Sequence, residues 1–133
     1  MSNRLTALCA SLAIVGSVGV ATQAIAAEPT HGDNCFLSRD WDGWKSPDPT
    51  SIYLRVGVRQ IYLVKLSAPS DQLQWSDTHL VNRVRGSEWI CNPLDLDLDV
   101  ADNHGTFREP LFVKSITRLT PEEIAAIPKR DLP

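Results

Sequence analysis

The sequence predicts a mainly β fold: a small antiparallel β barrel or sandwich of about six to seven short strands, closed by one short C-terminal helix. Three observations carry this. The stretch "SIYLRVGVRQIYLVKL", residues 51–66, alternates β-branched and aromatic residues on both sides of Gly57. The other apolar runs are equally short and are broken by Gly, Pro, Asn and Asp. No helical pattern is long enough to carry a crossover, so neighbouring strands must run antiparallel.

Fold reasoning begins after residue 27. Arg4 supplies a positive start, Leu5 to Ala21 is apolar or small, and Ala24-Ile25-Ala26-Ala27 offers small residues for cleavage. The run has several Gly, Ser and Thr and falls short of the ~20 strongly apolar residues of a membrane span. Residues 1–27 are therefore read as a signal peptide cut just before Ala27 or Glu28, leaving no membrane anchor. Cys9 follows Leu8 at the start of the apolar run, which is not where a lipid-modified cysteine sits. Residues 28–34 then form a flexible tether, 35–128 a single β domain, and 129–133 a C-terminal tail. The expected location is the periplasm, with release from the cell as the alternative.

Each element has its own local reason. Cys35 to Arg39 suits a first strand. "WDGWKSPDPTS" contains Gly43, Pro47 and Pro49 and reads as a loop. Ser51–Val56 and Arg59–Leu66 form a hairpin, with Ile52, Leu54 and Val56 on one face and Ile61 and Leu63 expected to meet them. "DQLQW" is turn-rich, with Leu73 and Trp75 expected inward. His79 to Arg85 is a strand ended by Gly86, and Trp89 to Cys91 a short return. Leu94 to Val100 alternates throughout, and Phe112 to Leu119 is the last strand. In "LTPEEIAAIP", Thr120 is an N-cap, Pro121 suits the first helical position, and Glu123 completes a capping box. Pro128 ends that helix, and Ile124 and Ile127 must rest on the sheets, because two turns do not hold alone.

Charge and cysteines narrow the function class. Removing residues 1–27 takes away Arg4 and no acidic residue, leaving 12 basic and 16 acidic residues and a net charge of −4. That sign argues against nucleic acid or an anionic membrane as partner. Cys35 and Cys91 are then the two cysteines left, and in an oxidising compartment they are expected to pair as a disulfide. A reactive or metal-binding pair is the alternative, but neither has a Cys-x-x-Cys partner or an adjacent His.

The order of Cys35, Arg39-Asp40 and Trp44 in "RDWDGW", "IYLVKLSAP", Leu73 with Trp75, "WIC" at Cys91 and "ITRLTPEE" resembles a family of short exported bacterial proteins known only as a domain of unknown function. The resemblance spans nearly the whole chain after residue 27. It implies export, a small mainly β domain, and cysteines at the positions of Cys35 and Cys91. It implies no activity, cofactor or catalytic residue. The aspartate-rich strand departs from the usual pattern of that family.

That strand, "LDLDLDVADNHG", invites a calcium reading. An EF-hand loop needs oxygen ligands at positions 1, 3 and 5, Gly at 6 and Glu at 12. Counting from Asp95 puts Val100 at 6 and Thr106 at 12, and counting from Asp97 puts Ala101 at 5. In an extended strand Asp95 and Asp99 stand ~13 Å apart, too far to share one ion. The remaining cation candidate is the strand end, Asp99, Asp102 and Asn103, although turn chemistry with Gly105 accounts for the same residues. Two structural roles explain the aspartates: protection of an edge strand, or pairing of Asp95 and Asp97 with Arg83 and Arg85.

No serine elbow, zinc-helix motif or phosphate loop is present, so an enzyme is not expected. A catalytic alternative would require His79 or His104 beside Asp40 or Asp42. The four tryptophans are expected to fill the core and wall loops, with Trp41 the most exposed. The best candidate for recognition is Arg39, Asp40, Trp41 and Trp44. No cofactor is expected; the partner would be an envelope protein or a small ligand.

Overall fold

The computed structural model describes Gly32 and residues 34–133; the expected signal peptide and most of the tether lie outside these residues. The chain is mainly β. Among the described residues there are nine strands, β1 (Phe36–Leu37), β2 (Trp41–Asp48), β3 (Ser51–Val56), β4 (Gln60–Leu66), β5 (Thr78–Asn82), β6 (Trp89–Ile90), β7 (Leu98–Asp102), β8 (Arg108–Leu111) and β9 (Val113–Arg118), followed by one α-helix, α1 (Pro121–Ala126). Every pairing is antiparallel, and the strands fall into three sheets ordered β2-β3-β4-β9, β5-β7-β8 and β1-β6.

The strand count exceeds the expected six to seven for two reasons. The "WDGWKSPD" segment, expected as a loop, is the edge strand β2. An edge tolerates proline, and Pro47 lies in a register irregularity between Lys45 and Asp48. Arg55 approaches Gly43 closely: a Cβ there would stand 3.2 Å from its Nη2. The expected last strand forms as β9, and Arg108–Leu111, outside its expected bounds, is the additional strand β8 in a different sheet.

The β3–β4 hairpin forms where expected, with its register displaced by one residue. Val56 pairs with Gln60 across the three-residue turn Gly57–Arg59. Leu54 therefore faces Tyr62 and Ile52 faces Val64, while Ile61 and Leu63 oppose Arg55 and Tyr53 on the other face. A one-residue slip exchanges the two faces of a strand, which is why the expected Ile61 and Leu63 contacts are replaced. Arg55 Nη1 donates to the Pro133 oxygen at 3.0 Å, so the last residues, including the 3-10 turn Lys129–Asp131, are tied to that second face.

One core joins all three sheets. Ile52, Leu54, Val56, Tyr62, Val64 and Leu66 of the hairpin pack with Leu98 and Val100 of β7, Leu111 of β8, and Phe36 and Ile90 of the ribbon. Leu73 is buried as expected, but Trp75, just past the 3-10 turn Asp71–Gln74, stays 51% exposed with its ring edge to face against Phe107. α1 carries the expected reciprocal cap: Thr120 Oγ1 accepts from Glu123 N–H at 3.3 Å, and Glu123 Oε2 accepts from Thr120 N–H at 2.8 Å. Ile127 just beyond it is buried. Among the described residues no helix is long and apolar enough to cross a membrane.

Cys35 and Cys91 form the expected disulfide, with Cα atoms 4.2 Å apart. The β1–β6 register pairs Phe36 with Ile90, so the cysteines are the next cross-strand pair and continue the ladder covalently. Tyr62 Oη donates to Cys35 O at 3.3 Å from within the core. Burial pushes its phenol above the ordinary value, partly offset by the charge of Arg118. A two-residue ribbon gains little from its own hydrogen bonds. Replacing Cys35 and Cys91 by Ser is therefore expected to lower the unfolding free energy by about 4 kcal/mol, read by urea titration of the oxidised wild type against the variant. An unchanged midpoint would show that the bond constrains nothing.

Candidate binding surface

The recognition residues expected from sequence gather around the tip of the β3–β4 hairpin. After β1 the chain makes a 3-10 turn, Ser38–Asp40, and enters β2. Gly57 N–H donates to Asp40 O at 2.8 Å, which ties this turn to the hairpin tip. Arg39 pairs with Glu88 at 3.3 Å, and Ser38 N–H donates to Glu88 O at 2.8 Å, tying it to the segment before β6.

Two shallow clefts result. One is walled by Arg39, Trp41, Asp42 and Arg55, the other by Phe36, Leu37, Gln60 and Trp89; Asp40, Gly57 and Val58 belong to both. Val58 is 92% exposed at the tip. Asp42 is held by Arg55 at 3.1 Å, while the Asp40 carboxylate has no ion-pair or hydrogen-bond partner among the described residues. Trp41 is half-buried against the core, with its indole Nε1–H donating to Gly43 O at 2.9 Å. It is not the most exposed tryptophan; Trp75 is. Trp44 also packs on the core and lines neither cleft, so of the four candidates Arg39, Asp40 and Trp41 share a surface.

The aspartate strand is built differently from its sequence reading. Pro93–Asp95 is a 3-10 turn that precedes the strand, leaving Leu94 exposed while Leu96, Leu98 and Val100 are buried. Asp95 does not pair with Arg83. Its Oδ2 accepts from Cys91 N–H at 3.0 Å and Asn92 N–H at 3.1 Å, completing a capping box with Asn92. β7 lies between β5 and β8, so it is a central strand, and edge protection does not explain its charges.

Pairing within the chain does explain them. Asp99 is 2% exposed, and Arg83 donates to its Oδ1 at 3.0 Å while Arg108 Nε donates to its Oδ2 at 2.5 Å. Asp97 takes Arg83 at 3.0 Å and Arg85 at 2.6 Å. The arginine partners are thus Asp97 and Asp99 rather than Asp95 and Asp97. β5 stops at Asn82, so Arg83 lies just past its end, beside Asp97 through the Arg83 N–H to Asp97 O bond of 2.9 Å.

The three residues considered for a cation are occupied by separate partners. Asp99 and Asp102, three apart on a strand, point to opposite faces. Asp102 accepts from Thr106 N–H at 2.8 Å, from Phe107 N–H at 3.1 Å and from the Thr106 hydroxyl. Asn103 Oδ1 faces His79 Nδ1 at 3.0 Å. Among the described residues no group of three His, Cys, Asp or Glu is placed to hold a metal. Nor do the histidines meet Asp40 or Asp42: His79 pairs with Asn103, and His104 lies 4.0 Å from Asp77.

These arrangements have measurable consequences. Asp99→Ala would leave two guanidinium groups, each about half exposed, without their shared carboxylate, and is expected to destabilise by about 1–3 kcal/mol in urea unfolding. The Thr106 hydroxyl, joined by the Phe107 and Thr106 amides, holds Asp102 below the usual carboxylate range against the opposing effect of burial. A depressed folded pKa adds stability above the unfolded value of about 3.9, and that stability is lost as pH falls through the lower folded value. Asp102→Asn should therefore flatten the acid side of a melting-temperature profile; an unchanged slope would refute this. Millimolar calcium should leave the melting temperature where it is, since Asp99, Asp102 and Asn103 already have their partners.

The chain matches no family model, no curated protein and no solved structure.

Proposed function

We propose that this chain is an exported, non-catalytic binding domain of the cell envelope, recognising its partner at the face around Asp40. The two larger sheets are read as an open sandwich over one core. Residues 1–27 direct export and are removed, and the Cys35–Cys91 bond suits an oxidising compartment such as the periplasm. The observation that carries the recognition reading is Asp40: a carboxylate without a partner among the described residues, where two clefts meet beneath the exposed Val58. The backbone around it is rigidly tied, through Asp40 O to the hairpin and through Ser38 to Glu88. Fixed backbone with an uncommitted charge and an exposed apolar tip is a surface prepared for contact.

The test is a photocrosslinking residue in place of Val58, expressed in the native cell. A discrete adduct is expected, and Asp40→Asn should reduce its yield by roughly threefold, the effect of one exposed charge. An adduct indifferent to Asp40→Asn, or no more abundant than that from a probe at Lys114, would overturn the assignment. The intact mass of the envelope form should begin at Ala27 or Glu28.

A further inference from the structure

A third cleft opens beside the β3–β4 hairpin. Arg59, the last residue of the hairpin turn, and Gln60, the first of β4, line it together with Arg118, the last residue of β9, and Leu119, Pro121 and Ile124. Its frame is fixed on both sides. Leu119 N–H donates to Ile61 O at 2.9 Å, which carries the β4–β9 ladder one residue beyond Arg118, and the Thr120–Glu123 cap holds the first turn of α1. Arg118 stands opposite Tyr62 in the register, and its charge is felt at that phenol.

The charge of this cleft is one-sided. Two arginines line it and, among the described residues, no Asp or Glu does. Arg59 pairs with no carboxylate among those residues. The acids nearest in sequence, Glu122 and Glu123, lie on α1 outside the lining, and the Glu123 carboxylate is already engaged by Thr120 N–H. The clefts around Asp40, by contrast, mix signs: Asp40 with Arg59 in one, Asp42 with Arg55 in the other. Two guanidinium groups in one cleft repel each other and focus positive potential there, which an anionic occupant relieves. A guanidinium receives a carboxylate through two parallel hydrogen bonds. The half-buried Leu119 and Ile124 add an apolar wall that a small free anion would leave in water.

We infer that this cleft docks an extended segment of a protein partner in which acidic residues stand next to aliphatic ones, the carboxylates on Arg59 and Arg118 and the aliphatic side chain on Leu119 and Ile124. Arg59 and Gln60 also line the Asp40 cleft, so the two recesses share a wall and one chain can run through both. The inference rests on the reading above only in taking the segment from the same protein. A flat anionic membrane fits less well, because Glu122 and Glu123 are exposed beside the cleft and would be repelled by it.

The test is a 1H–15N titration of the disulfide-bonded chain with the capped hexapeptide Glu-Leu-Glu-Leu-Glu-Gly, and with versions carrying Gln or Lys in place of each Glu. The acidic peptide should shift the Arg59, Leu119 and Ile124 amides in a saturable way, and the other two should not. Arg59→Gln and Arg118→Gln should each weaken it by roughly threefold, and the double variant by roughly tenfold. Arg59→Gln, at an exposed turn position, carries the test should Arg118→Gln unfold. No saturable shift at millimolar acidic peptide, equal shifts with the Gln version, a response to phosphatidylglycerol vesicles and not to the peptide, or shifts that follow self-association of the chain would each overturn the inference. A peptide response without a Val58 adduct in cells would support the cleft and sink the Asp40 reading; a Val58 adduct without a peptide response would sink the cleft alone.

Discussion

Burying a carboxylate in a central strand is the constraint on which the second sheet depends. All five residues of β7 are buried, and two of them are aspartates. An unpaired ion in such a place costs several kcal/mol, so the neighbouring segments are placed by what Asp99 and Asp102 need. Arg83 comes from the chain after β5 and Arg108 from β8, one to each oxygen of Asp99. Asp102, on the core-facing side, is satisfied by the turn that leads from β7 into β8. The acidic sequence thus specifies the neighbours of the strand more than its surface.

The first sheet answers to another rule. Its hairpin is apolar on the face that meets β7, with Ile52, Leu54, Tyr62 and Val64 fully buried. Burial of side chains of this size stabilises by about 1.5–3 kcal/mol each relative to exposure. The disulfide ribbon joins these two worlds. Phe36 and Ile90 are buried in the common core, and the covalent bond beside them holds two residues of ladder that would otherwise fray.

What was legible in the sequence was local code. The hairpin, the Thr120 capping box, the cysteine pair and the Asp102–Gly105 turn each depend on residues close in sequence or on simple arithmetic, and each is present. What was misread depends on distant neighbours. Gly43 and Pro47 signal a loop until Arg55 crosses over the one and an edge position accommodates the other. Leu94 to Val100 alternates like an exposed edge strand, but whether its polar face meets water or arginines is decided by β5 and β8, which no spacing within β7 reveals. The same holds for the candidate site: charges and aromatics crowd from Arg39 to Trp44, but Trp41 and Trp44, opposite Val56 and Leu54, both lean on the core, and only Trp41, at the start of β2, reaches the cleft beside the hairpin tip. Trp75 was misplaced inward because its amphipathic ring suits either side of a surface.

The double pairing of Asp99 also orders the assembly of its sheet. With β5 alone in place, Arg83 balances both Asp97 and Asp99, and one oxygen of the more buried carboxylate has no donor. With β8 alone, Arg108 serves Asp99 but Asp97 keeps only Arg85, on a segment that β5 itself holds in position. Each half-built sheet leaves a charge partly desolvated and partly paired, which is the least favourable of the available states. The three strands are therefore stable together rather than in pairs. That cooperativity keeps β7 from being exposed as a free template, even though both strands flanking it are edges.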